Sequence, residues 1–130
     1  MKFIQTDGGR GPDFSGEKND CTVRAFALAT EIPYKQAHAL MTSLGRKPKR
    51  RVYFEKMMLQ IEGQCFNGYM LVRRGVVYKT VAKFVEAKTE GRYLVRIRGH
   101  VTAVINGVLM DIGQIPPRCR ITNVWELVAP

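Results

Sequence analysis

A chain of 130 residues with 45% hydrophobic and 25% charged residues has the make-up of one ordinary globular domain and is too short for two. Lys and Arg number 21 against 11 Asp and Glu, and the resulting charge of +10 favours anionic partners, nucleic acid or acidic protein among them. No apolar run approaches the roughly 18 residues of a membrane span, Met1 to Asp7 has no secretory pattern, and Cys21, Cys65 and Cys119 lack the spacing of a disulfide framework or a zinc site. A cytoplasmic protein without cofactor, metal or membrane partner is expected.

Residues 1–18 are polar and glycine-rich and read as an extended lead-in with a short strand at Lys2 to Gln5. Asn19 or Asp20 then offers an N-cap to an Ala-rich helix from Cys21 to Thr30, with Val23, Phe26, Ala27 and Thr30 on its buried face. A second helix begins at Pro33 and runs from Tyr34 to Leu44, where Gly45 stops it. The run Arg46-Lys47-Pro48-Lys49-Arg50-Arg51 is a loop by composition, either a solvated connector or an anion-binding tongue. Tyr53 to Ile61 has helical spacing through Phe54, Met57, Met58 and Ile61. Tyr34, Tyr53 and Phe54, near the basic run, are candidate platforms for stacked nucleobases.

Gly63 to Gly68 is turn-rich and precedes a strand at Tyr69 to Val72; Thr80 caps a helix from Val81 to about Lys88. Strands follow at Tyr93 to Ile97, His100 to Ile105, Val108 to Ile112 and Arg120 to Leu127. Helices first and antiparallel strands afterwards predict an α+β architecture spanning the whole chain.

The sharpest local signal is Asn106-Gly107 between two apolar runs, because a type I′ hairpin turn needs positive φ at both central residues. That turn sets Ile105 opposite Val108 and Thr102 opposite Asp111, which makes His100 the diagonal neighbour of Asp111 on one side of the sheet. Diagonal partners lie roughly 7–8 Å apart at Cα, within reach of an imidazole and a carboxylate. The other side carries Val101, Ala103, Ile105, Val108, Met110 and Ile112, so it is assigned to the core, and the His–Asp pair to the side away from it.

Cys21 at a helix N-terminus, His100 on one strand and Asp111 on the next have the chemistry of a thiol nucleophile, its base and an orienting acid. The helix terminus favours the thiolate. Asn19, beside the nucleophile, is the candidate oxyanion donor and is equally suited to cap the helix. His38 reads as structural or solvent-facing, and Cys65 and Cys119 as core or incidental.

The order Cys21, His100, Asp111 resembles the papain-like cysteine peptidases. Asn19 to Ala25, Tyr93 to Val95, Gly99 to Val101, Asn106 to Asp111 and Trp125-Glu126 look like the small papain-like domains of bacteriophage and bacterial genomes. The Cys-Gly-Ser/Ala-Cys-Trp/Tyr signature is absent, and Ser15 stands where papain-like chains carry glutamine. The resemblance implies a papain-like fold, with N-terminal helices packed on a C-terminal antiparallel sheet. It also implies a hydrolase cleaving a peptide or isopeptide bond, with Cys21 as nucleophile, His100 as base and Asp111 as orienting acid. A phage origin would place it in a host cytoplasm. The alternative is an inactive module of that fold, binding nucleic acid or an acidic host protein through Arg46, Lys47, Lys49, Arg50 and Arg51.

Overall fold

The computed structural model describes residues 1–129, with four α-helices and a seven-stranded mixed sheet. The elements are β1 (Lys2–Gln5), a 3-10 turn at Pro12–Phe14, α1 (Cys21–Thr30), α2 (Tyr34–Ser43), α3 (Phe54–Ile61), β2 (Cys65–Phe66), β3 (Tyr69–Arg74), α4 (Val81–Ala87), β4 (Arg92–Ile97), β5 (His100–Ile105), β6 (Val108–Asp111) and β7 (Ile121–Val128). The strands lie side by side in the order β1-β6-β5-β4-β7-β3-β2. Among the described residues, no helix is long and apolar enough to cross a membrane.

The sheet is not wholly antiparallel. The lead-in strand β1 pairs parallel with β6, Lys2 to Gln5 lying against Val108 to Asp111. Every other pairing is antiparallel. A four-residue strand in a polar segment has little periodicity of its own, and its hydrogen bonds come from an edge formed over a hundred positions later.

The expected hairpin is present. Asn106 and Gly107 have φ of 49° and 76°, Ile105 pairs with Val108 and Ala103 with Met110. The Asn106 side chain adds a lock to the turn by accepting from the Gly91 N–H at 3.0 Å.

The core has two halves because both faces of the sheet are covered. On one face Val23, Phe26, Ala27 and Ala29 of α1, with Met57, Met58 and Ile61 of α3, meet Leu94, Val101, Ala103, Ile105 and Trp125. On the other, Val81, Phe84 and Val85 of α4 cover Tyr93, Val95, Val104, Leu109 and Val124. The side of the hairpin carrying His100 and Asp111 also carries Val104 and Leu109 and therefore faces a second core instead of pointing away from one. Ile112, assigned above to the core side, is 37% exposed because β6 stops at Asp111.

Helix α1 is the buried centre of the first layer. Eight of its ten residues are buried, Arg24 among them, so burial goes all round the helix and not along one stripe. It ends where Glu31 turns left-handed (φ 59°) before Ile32-Pro33, which cannot continue it.

Candidate active site

Cys21 is the first residue of α1 and is half-buried. The chain enters through Asn19 at φ 53° and Asp20 at the cap position, and neither side chain caps the helix. Asp20 is 1% exposed, and its carboxylate accepts from Arg24 Nη1 at 2.7 Å, the Tyr34 hydroxyl at 2.8 Å and Arg10 Nη1 at 3.3 Å. A carboxylate this buried needs partners more than the helix needs a cap, so the first-turn N–H groups keep no side-chain acceptor.

His100 opens β5 directly after the tight turn at Gly99, and Asp111 closes β6. Strand period and turn type bring them together: His100 Nε2 lies 2.6 Å from Asp111 Oδ2. Asp111 is 4% exposed; its Oδ1 accepts from the Ile112 N–H at 2.7 Å and sits 3.6 Å from Arg24 Nη2. With Nε2 engaged by the acid, Nδ1 is the imidazole nitrogen left for the Cys21 sulfur.

The electrostatics follow from this packing. Burial pushes the Cys21 thiol up, but the hydrogen bond and charge of His100, the Val101 N–H and the Arg24 guanidinium together hold it below the ordinary thiol value. The bond to Asp111, then that to Cys21, raise His100 from 6.5 to about 9 against the opposing effect of burial. Burial raises Asp111, yet the hydrogen bond and charge of His100, with Thr102 and the Ile112 N–H, leave it lowered. All three shifts favour a thiolate–imidazolium pair backed by a carboxylate.

A cavity of about 80 Å³ opens at the sulfur, walled by Asn19, Arg51, Phe54, Arg96 and His100. Asn19 thus lies at the site, but its Nδ2 donates to the Lys49 carbonyl at 3.1 Å and its Oδ1 accepts from Arg51 Nε at 3.4 Å. The carboxamide ties down the basic loop instead of capping the helix, and the second N–H of its Nδ2 is not engaged by that bond.

The basic run is divided by burial. Arg46 is 3% exposed and pairs with Glu17 at 2.9 Å, so it holds the loop from within and is no anion-binding residue. Lys47, Lys49, Arg50 and Arg51 are exposed. Of the three aromatic residues near the run, Tyr34 and Phe54 are 2% and 5% exposed and cannot stack nucleobases, whereas Tyr53 is 87% exposed. His38 is structural: its Nε2 lies 2.8 Å from Glu17 Oε2 and its ring packs on Phe14 and Tyr34. Cys65 is exposed and Cys119 half-buried, away from the site.

Sequence reasoning missed Arg24, which joins Asp20 to Asp111 beneath the site. Its signal was a charged residue on the helix three positions after Cys21 and four after Asp20, in a run otherwise uncharged. Among the described residues no group of His, Cys, Asp and Glu is gathered that could hold a metal ion. No family model matches the sequence, and no curated protein and no solved structure matches it.

Proposed function

We propose that this protein is a cysteine-dependent hydrolase of papain-like type, cleaving a peptide or isopeptide bond through an acyl-thioester. One observation carries the reading: a thiol at a helix N-terminus and an imidazole line one cavity, with a buried carboxylate 2.6 Å from that imidazole. The Cys21 thiolate attacks the carbonyl carbon, and the uncapped first-turn N–H groups of α1 face the developing oxyanion. His100 gives its proton to the leaving nitrogen as the C–N bond breaks, which leaves the acyl group on sulfur and the imidazole neutral. That imidazole then takes a proton from water, whose oxygen attacks the thioester. The C–S bond breaks, the acid leaves, and the thiolate–imidazolium pair is restored. Asp111 holds the ring in the required orientation and stabilises its charged form throughout.

Alkylation of the three cysteines as a function of pH, followed by labelling with a peptide vinyl sulfone, tests the reading. An ordinary thiol is only about 0.3% thiolate at pH 6. Fast labelling confined to Cys21 at that pH, and lost in His100→Ala, is expected. Slow labelling spread over Cys21, Cys65 and Cys119 regardless of His100 would refute it.

A further inference from the structure

Beside the catalytic cavity runs a second depression of about 450 Å³, between residues 44–53 and α3. Its lining includes Lys47, Arg50, Arg51 and Lys56, with Tyr53 and Met57, and no Asp or Glu. Among the described residues none of those four cations takes part in an ion pair. Arg51 and Val52 line both this groove and the cavity at Cys21, so the two adjoin along these residues.

The segment that forms the groove is held in place. The Lys49 N–H donates to Glu17 Oε1 at 2.6 Å, the Lys49 carbonyl accepts from Asn19, and Arg51 Nη1 donates to the Gly99 carbonyl at 3.2 Å. These bonds fasten the basic loop to the residues flanking the nucleophile and the base. A connector with no partner has no need of them; a binding surface built in advance loses less entropy when occupied.

We infer that this groove selects substrate: a polypeptide stretch rich in Asp or Glu lies against Lys47, Arg50 and Lys56 and passes Arg51 and Val52 to bring its scissile bond to Cys21. The inference rests on the thiol-hydrolase reading, and the nucleophile argues for protein over nucleic acid. A thiolate acts on an acyl carbon, which a polypeptide has at every residue and a phosphodiester backbone lacks. The backbone carbonyl enters the small cavity while the acidic side chains remain in the wider basic groove, where several cations without an acidic neighbour raise the local concentration of an acidic segment.

The full chain is titrated with fluorescein-labelled hexaglutamate by anisotropy, and Cys21 alkylation by chloroacetamide is timed with and without the unlabelled peptide; hexalysine and an oligothymidylate of equal charge serve as comparisons. Hexaglutamate is expected to bind and to slow Cys21 alkylation saturably, and hexalysine to do neither. The double variant Arg50→Gln/Lys56→Gln should bind roughly three- to ten-fold more weakly, and added salt should weaken binding to the unmodified protein. Hexaglutamate that fails to slow alkylation, whether unbound or bound elsewhere, overturns the inference, as does an oligothymidylate that takes the groove more tightly. Failure of the underlying reading is separate, because the free protein then shows no fast alkylation of Cys21 at pH 6.

Discussion

Arg24 and Asp111 meet beneath the candidate site, Nη2 to Oδ1 at 3.6 Å, joining the helix that begins at Cys21 to the strand that Asp111 closes. The same guanidinium donates to Asp20 Oδ1 at 2.7 Å. One buried cation therefore serves two buried carboxylates, one at the start of α1 and one at the end of the hairpin. Its charge also helps to hold the Cys21 thiol down.

Replacing Arg24 by Gln should therefore move the acid limb of Cys21 alkylation to higher pH and slow the reaction several-fold at pH 6. Arg24→Lys keeps the charge and should restore the limb's position better than the rate, because a point charge does not span both carboxylates. Alkylation pH profiles of the two variants, on samples whose native circular dichroism is verified, check this. Profiles identical to that of the unmodified protein would remove Arg24 from the site.

Asp111→Asn should leave the hairpin folded and reduce vinyl sulfone labelling by roughly 10² to 10⁴. The basic limb should also move down. Folding raises His100 from 6.5 to about 9, so the imidazolium contributes its stabilisation in full below 6.5 and loses it as pH rises through about 9. Removing the acid that is the largest cause of that rise brings the loss to lower pH. NMR titration of the His100 ring reads it directly.

Arg46→Ala should cost about 1–3 kcal/mol in urea denaturation, since Glu17 loses its guanidinium partner and keeps His38 and the Lys49 N–H. The pH dependence has a definite sign. Burial raises Glu17, but Arg46, His38 and the Lys49 N–H bring it from 4.5 down to about 2. Its stabilising contribution is thus complete above about 4.5 and is lost as pH falls through about 2. In Arg46→Ala acid unfolding should begin at higher pH.

Gly107→Ala should destabilise the protein by about 1–2 kcal/mol, because residue 107 is left-handed at φ 76° and an added Cβ would lie 3.3 Å from Thr89 Cα. A loss of this size in the urea midpoint, with a parallel drop in Cys21 labelling, would tie the turn to the His100–Asp111 register. Unchanged labelling would mean that the register is held elsewhere.

Much of the candidate site was legible beforehand because its geometry is local. A two-residue turn with positive φ and the alternation of a strand are enough to make His100 and Asp111 neighbours, and an Ala-rich run after Asn19-Asp20 is enough to put Cys21 at a helix start. The failures share one cause. Asn19 and Asp20 looked like caps because capping is a local habit, yet Asp20 found Arg10 and Tyr34, and Asn19 found Lys49 and Arg51, across folded distance. Arg46 looked like its neighbours in a run of cations, and nothing in that run says that one of them is desolvated against Glu17.

By itself the amino-acid sequence determined the hairpin, its register and the helix carrying Cys21, which arise from interactions between residues close in the chain, and it marked nearly every strand by local alternation without fixing most of their partners. The tertiary structure alone decided that a lead-in strand joins β6 in parallel and that α4 buries the second face of the sheet. It alone decided that Arg24 links two carboxylates and that the basic loop is fastened beside Cys21 and His100. Those outcomes depend on which groups lose water together, and desolvation is a property of the packed chain that no stretch of sequence carries.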